Sequence, residues 1–146
     1  MLPHVLRVLT LLCCLSGFAL AQDWAKPRLE KSPRHLEWVT VRHGNRDVRC
    51  WVAYPEVKDK ATAVVVIHEI FGLTDWVRGV ADQVAAEGFI AIAPDFNSRV
   101  RGGPSTVELS PDSARKIIAG VNSTERNRAI LAAANYAMML PSAQQK

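Results

Sequence analysis

The sequence has 146 residues, enough for one domain of ordinary size and short of two. Hydrophobic residues make up 49% and charged residues 22%, which excludes a chain that is disordered throughout. The formal charge of +4 comes from scattered Lys and Arg without a basic run or a nucleic-acid-binding motif, so nucleic acid is not expected as a partner.

The chain opens with a targeting pattern. His4 and Arg7 precede the apolar residues 8–20, and Ala19-Leu20-Ala21 puts small residues at the two positions a signal peptidase reads. The apolar run falls short of the roughly 20 residues needed to span a bilayer. Residues 1–21 are therefore expected to leave as a signal peptide, giving a secreted or periplasmic chain that starts at Gln22 and has no membrane association. Cys13 and Cys14 would leave with the leader, so the mature chain keeps only Cys50 and can form no internal disulfide. Val48, Cys50 and Val52 alternate onto one face, which predicts a buried small hydrophobe rather than a reactive thiol.

Residues 22–34 contain two prolines and several basic residues without apolar periodicity, and predict an extended, mostly exposed arm. Segments 36–42 and 48–54 alternate with period two and flank the turn His43-Gly44-Asn45-Arg46-Asp47, the pattern of a β-hairpin. Pro55 ends the second strand, and residues 56–60 return the chain through solvent. Residues 63–67, Ala-Val-Val-Val-Ile, form an unbroken β-branched run suited to a central parallel strand buried on both faces.

After that strand the period changes. Trp76, Val77, Val80, Ala81, Val84 and Ala85 recur at helical spacing, with Asp75, Arg78, Asp82 and Glu87 on the opposite, polar face. Thr74 is placed to cap this helix and Gly88 to end it in a left-handed turn. A second buried strand, residues 89–93, stops at Pro94-Asp95, which completes a βαβ unit with an expected right-handed crossover. Residues 97–109 read as a polar loop containing Gly102-Gly103-Pro104. Ser110-Pro111-Asp112 then opens a short helix that ends at Gly120. A longer helix over 123–140 has Ile130, Ala133, Ala134, Ala137 and Met138 as its apolar stripe, which would place both neighbouring methionines in the core. The predicted class is α/β: an N-terminal β-hairpin, a parallel βαβ unit and further helices.

The sequence contains no Gly-x-Ser-x-Gly or Gly-x-Cys-x-Gly elbow, no phosphate loop, no Gly-x-Gly-x-x-Gly and no zinc-type Cys/His spacing. No metal or cofactor is expected. His35 and His43 flank the first strand and suit surface or turn roles. His68 differs, because it stands where a buried strand opens onto a loop before a helix, the end at which open α/β sheets bind ligands.

That junction, His68-Glu69-Ile70-Phe71-Gly72-Leu73-Thr74-Asp75-Trp76, together with Ala93-Pro94-Asp95-Phe96, resembles the dienelactone hydrolase (carboxymethylenebutenolidase) family of the α/β-hydrolase superfamily. The resemblance runs over roughly residues 39–140. It implies an incomplete three-layer αβα hydrolase, with residues 35–146 as its N-terminal portion. It also implies that Ile70 supplies an oxyanion-hole N–H and that Glu69 is the acidic residue paired with the resting nucleophile. A solvated loop carboxylate or a helix-dipole partner is the plainer reading of Glu69. His68 would border the substrate, and Arg99 or Arg101 would hold a substrate carboxylate, although a solvated pair fits the residues equally well.

In that family the helix equivalent to 123–140 leads to a strand and a Gly-x-Cys-x-Gly-Gly elbow, followed by an Asp and a His. None of these is present here, so the chain is expected to be truncated before the nucleophile and inactive alone. The complete form would hydrolyse small-molecule esters or lactones with a Cys-His-Asp triad. The alternatives are a non-catalytic small-anion-binding module and one half of a split hydrolase. Loss of the neighbouring strand would leave 63–67 as an apolar edge open to self-association.

Overall fold

The computed structural model describes residues 24–101 and 110–144. The expected signal peptide at 1–21, the start of the arm and the Gly102-Gly103-Pro104 stretch lie outside the described residues. The elements in order are α1 (Ala25–Glu30), β1 (Leu36–His43), β2 (Arg46–Ala53), β3 (Ala63–Val65), α2 (Asp75–Ala86), β4 (Ile90–Pro94), α3 (Ser98–Arg101), α4 (Pro111–Gly120) and α5 (Ser123–Met138).

The strands form one mixed sheet in the order β1-β2-β4-β3. β1 and β2 are an antiparallel hairpin in the register Trp38↔Trp51 and Val41↔Val48. β2 pairs antiparallel with β4, through Cys50↔Pro94 and Ala53↔Ala91, and β3 runs parallel to β4, through Ala63↔Ile90 and Val65↔Ile92. Because side chains alternate along each strand, the pleat sorts the apolar residues into two cores. Val41, Cys50, Val52, Ile90 and Ile92 pack with Ala132, Ala133 and Ala137 of α5. Trp51, Ala53, Ala91 and Ala93 pack on the other face with Leu73 and with Val77, Ala81 and Ala85 of α2. The result is a helix–sheet–helix sandwich, the incomplete three-layer αβα architecture that the sequence predicts.

Local signals act as read at several points. Gly88 follows α2 with φ +91°, the left-handed conformation that a residue without Cβ adopts freely. The Ser110 hydroxyl accepts the Ser113 N–H at 3.3 Å, with Pro111 in the first turn of α4. Thr74 occupies the cap position of α2 but makes no side-chain capping bond.

Four expectations are corrected. The segment read as an exposed arm contains α1, which packs on α2. It is followed by a clamp in which Arg34 Nε and Nη2 donate to the two Asp82 oxygens at 2.7 and 2.8 Å. Asp82, assigned above to a polar face, is therefore buried, as is Asp75, which pairs with Arg78. Asp82 faces a covering segment rather than water, and ion pairing is what makes the burial of both aspartates tolerable.

The 63–67 run is not a central strand buried on both faces. β3 spans three residues that are only half-buried, and Ile67 is 58% exposed, because β3 lies at the sheet edge. The stripe of α5 is turned by one position from the expected one, to Ala129, Ala132, Ala133 and Ala137. Met138 and Met139 point outward, 50% and 72% exposed.

Candidate functional site

β3 and β4 run parallel, so their carboxyl ends deliver residues 66–74 and 95–98 to the same edge of the sheet. The two loops are tied together by His68, which is 6% exposed. Its Nε2 accepts the Phe96 N–H at 3.1 Å. A backbone N–H can only donate, so Nε2 carries no proton, and the neutral ring holds its proton on Nδ1. Nδ1–H then donates to the Glu69 carbonyl at 2.7 Å. The ring also lies against Phe96, with centroids 4.6 Å apart. Burial keeps the imidazole below its ordinary basicity, against the opposing pull of the Glu69 carbonyl and the Asp95 and Glu69 carboxylates. Asp95 Oδ1 lies 4.0 Å from Nε2 and accepts the Asn97 N–H at 3.1 Å.

The loop after His68 closes on itself. The Glu69 carboxylate is exposed and folds back so that Oε2 accepts the Phe71 N–H at 2.6 Å. The Glu69 carbonyl accepts a second donor, the Gly72 N–H, at 3.2 Å. Gly72 has φ +88°, which lets the chain turn back toward Glu69 without Cβ strain. Of the successive N–H groups at 70, 71 and 72, only that of Ile70 has no acceptor among the described residues.

The predicted site residues thus fall into two groups. His68, Glu69 and Ile70 are brought together at the tip of β3. Arg99 and Arg101 lie on α3, just beyond the tip of β4. Two residues apart on one helical turn, these positions sit about 200° apart around the helix axis.

Asp95 and Phe96 take part in the site in a way that sequence reasoning missed. Pro94-Asp95-Phe96 was legible as a motif, but nothing in it indicated that the Phe96 amide would engage a histidine 28 residues earlier. On the far side of Phe96 lies a groove of about 920 Å³, lined by His43, Arg46, Asp95, Ser98, Asn122 and Arg128 among others. The 68–73 loop does not contribute to that groove. His35 lies on the surface beside Glu37 and Tyr54, and His43 closes β1. No group of three or more His, Cys, Asp or Glu placed to hold a metal occurs among the described residues.

Two serines that could be considered as nucleophiles, Ser98 and Ser110, are already engaged. Ser98 Oγ donates to the Asp95 carbonyl at 2.7 Å and accepts the Arg49 N–H at 3.3 Å. Ser110 Oγ donates to Ser113 Oγ at 2.9 Å while capping α4.

Comparison with known proteins gives a consistent picture. A protein of Synechocystis sp., provisionally assigned as a carboxymethylenebutenolidase, is 32% identical over 110 residues, covering 71% of this chain and 43% of the relative. An Escherichia coli protein provisionally described as a hydrolase fragment is 43% identical over 63 residues, covering 42% of this chain and 54% of the relative. The chain therefore spans about half the length of these relatives or less. Among solved structures, the chain designated m3DLH superposes with a TM-score of 0.61 at 21% identity, over 76% of this chain and 45% of that one. A dienelactone hydrolase-like promiscuous phosphotriesterase from metagenomic libraries superposes with a TM-score of 0.58 at 23% identity, over the same shares. The dienelactone hydrolase family model matches residues 48–146, and the chain belongs to that family.

Proposed function

We propose that the loop at residues 68–73 is the oxyanion-binding side of a site that hydrolyses small-molecule esters or lactones. The observation that carries this reading is the N–H of Ile70, which has no acceptor among the described residues while those of Phe71 and Gly72 after it are occupied. When a nucleophile adds to an acyl carbon, the carbonyl oxygen takes up negative charge. A fixed donor aimed at that oxygen lowers the barrier, by about 3 kcal/mol for one good donor. Ile70 is the donor in this reading. Glu69 is the acidic neighbour of the nucleophile, with one oxygen held by the Phe71 N–H. Arg99 or Arg101 is the anchor for a substrate carboxylate.

The nucleophile and its base come from outside this sequence. Ser98 and Ser110 are bound to other groups, and both nitrogens of His68 are engaged, so no serine–histidine relay can be assembled from these residues. We therefore propose that the chain alone is inactive. Loss of nucleophile and base together costs on the order of 10⁶ in turnover.

The test is to assay the full chain against a panel of aryl esters and lactones. It is then mixed with a separate polypeptide carrying the Gly-x-Cys-x-Gly-Gly strand, the Asp and the His of a family member. Hydrolysis at the buffer rate without the second polypeptide, and turnover that depends on it and falls with Glu69→Gln, is the expected result. Glu69-dependent turnover by the chain alone overturns the inactivity, and turnover by the mixture that ignores Glu69 overturns the site. Export through residues 1–21 is proposed as well, and is tested by sequencing the N-terminus of exported protein for a start at Gln22.

A further inference from the structure

We infer that His68 is a positioning residue: it fixes the plane of the Glu69–Ile70 peptide and so sets the direction in which the Ile70 N–H points. This inference rests on the reading of Ile70 as the oxyanion donor and adds the group that aims it. The C=O of Glu69 and the N–H of Ile70 belong to one planar, trans unit, in which they point in opposite directions. Whatever holds the carbonyl therefore aims the amide. Two donors hold it, His68 Nδ1–H at 2.7 Å and the Gly72 N–H at 3.2 Å. The shorter comes from a buried ring that is itself locked by the Phe96 N–H on Nε2 and by ring contact with Phe96. A donor on the carbonyl also polarises the peptide and strengthens its N–H. A loop that would otherwise depend on its own short turn is thereby braced against the tip of β4.

The arrangement requires a neutral ring. A proton on Nε2 would face the Phe96 N–H, donor against donor, and break the link that orients the imidazole. The titratable groups facing the ring are Asp95, 4.0 Å from Nε2, and Glu69 beside it. Burial outweighs both carboxylates and keeps the ring neutral around pH 7. Protonation below the ordinary histidine range should therefore disturb the Phe96 and Ile70 amides together.

The experiment is solution NMR of the full chain. Long-range ring correlations assign the His68 tautomer, and the Ile70, Phe96, Leu73 and Ala81 amides are followed from pH 8 to pH 4. A Glu69→Gln background removes the nearby carboxylate step. The expected result is an Nδ1–H ring with unprotonated Nε2 at pH 7.5. The Ile70 and Phe96 amide signals should shift in step with His68 protonation, while Leu73 and Ala81 hold still. His68→Gln can donate to one side and accept from the other, and should keep both amide positions without the pH step. His68→Leu should shift both.

An Nε2–H tautomer overturns the inference, as does an Ile70 amide that ignores His68 protonation. If His68→Leu does not fold, the wild-type titration and His68→Gln still decide. No turnover is measured here, so failure of His68 as the aiming group leaves the Ile70 reading to the complementation assay, and the converse also holds.

Discussion

Cys50 carries a thiol that the sheet holds in its protonated form. Its side chain sits in the α5-side core with Val41, Val52 and Ile92, and burial, reinforced by the Asp95 carboxylate, pushes the thiol up to about 12. The thiolate is the reactive species, so the folded chain should resist aromatic disulfide reagents at pH 8 and react stoichiometrically once unfolded in guanidinium. Rapid labelling of native protein would contradict this burial. The position was legible because Val48, Cys50 and Val52 alternate on one strand. His68 was legible only in part. Its place at a strand tip followed from the pattern, whereas its two hydrogen bonds depend on a β4 loop far along the chain, and no local signal encodes that distance.

At the scale of elements, the open side of β3 has the largest consequence. Thr62 and Val66 bond toward β4, so the alternating residues Ala63 and Val65 turn their backbone groups to the other side. Ala61 already uses that side: it pairs in parallel with Ala143, through Ala61 N to Ser142 O at 2.9 Å and Gln144 N to Ala61 O at 2.8 Å. This short pairing shields the start of the edge. The apolar stretch beyond it has none of the charges, prolines or bulges that normally blunt an edge, and we propose that it drives self-association. Ile67→Lys places a charge at an exposed position of this stretch and should lower the weight-average mass in sedimentation at micromolar concentration. Its stability should change by no more than about 0.5 kcal/mol, as for other exposed substitutions. An unchanged mass would argue that the edge is not the contact. The sequence showed that the strand exists but misjudged its burial, because a continuous apolar run reads the same at the centre of a sheet and at its edge.

For the whole molecule, stability is linked to pH through two buried groups, and the linkage can be measured. The region before β1 was the least legible part of the chain. Its fold depends on Asp82 of α2, which is 2% exposed and is met by Arg34 and by Ser32 Oγ at 2.6 Å. Desolvation disfavours the Asp82 carboxylate, but the bonds from Arg34 and Ser32 outweigh it, and the group is held below the usual carboxylate range. A carboxylate depressed in the folded state stabilises fully above its unfolded pKa of about 3.9, and that stability is lost as pH falls through the folded value. His68 acts at higher pH, because its folded-state basicity is also depressed. Its stabilising effect is complete above about 6.5 and declines from there toward its folded value as the unfolded chain takes up the proton first. Acidification should therefore weaken the fold in two stages, a shallow one below pH 6.5 that His68→Gln removes and a second in the carboxylate range. Asp82→Asn leaves Arg34 without its counter-charge and should cost about 3 kcal/mol at pH 7, as expected for breaking a largely buried pair. In urea unfolding series at pH 7 and pH 3, the gap between wild type and Asp82→Asn should narrow at the lower pH. A gap that stays constant would mean that Asp82 contributes through packing rather than through its charge.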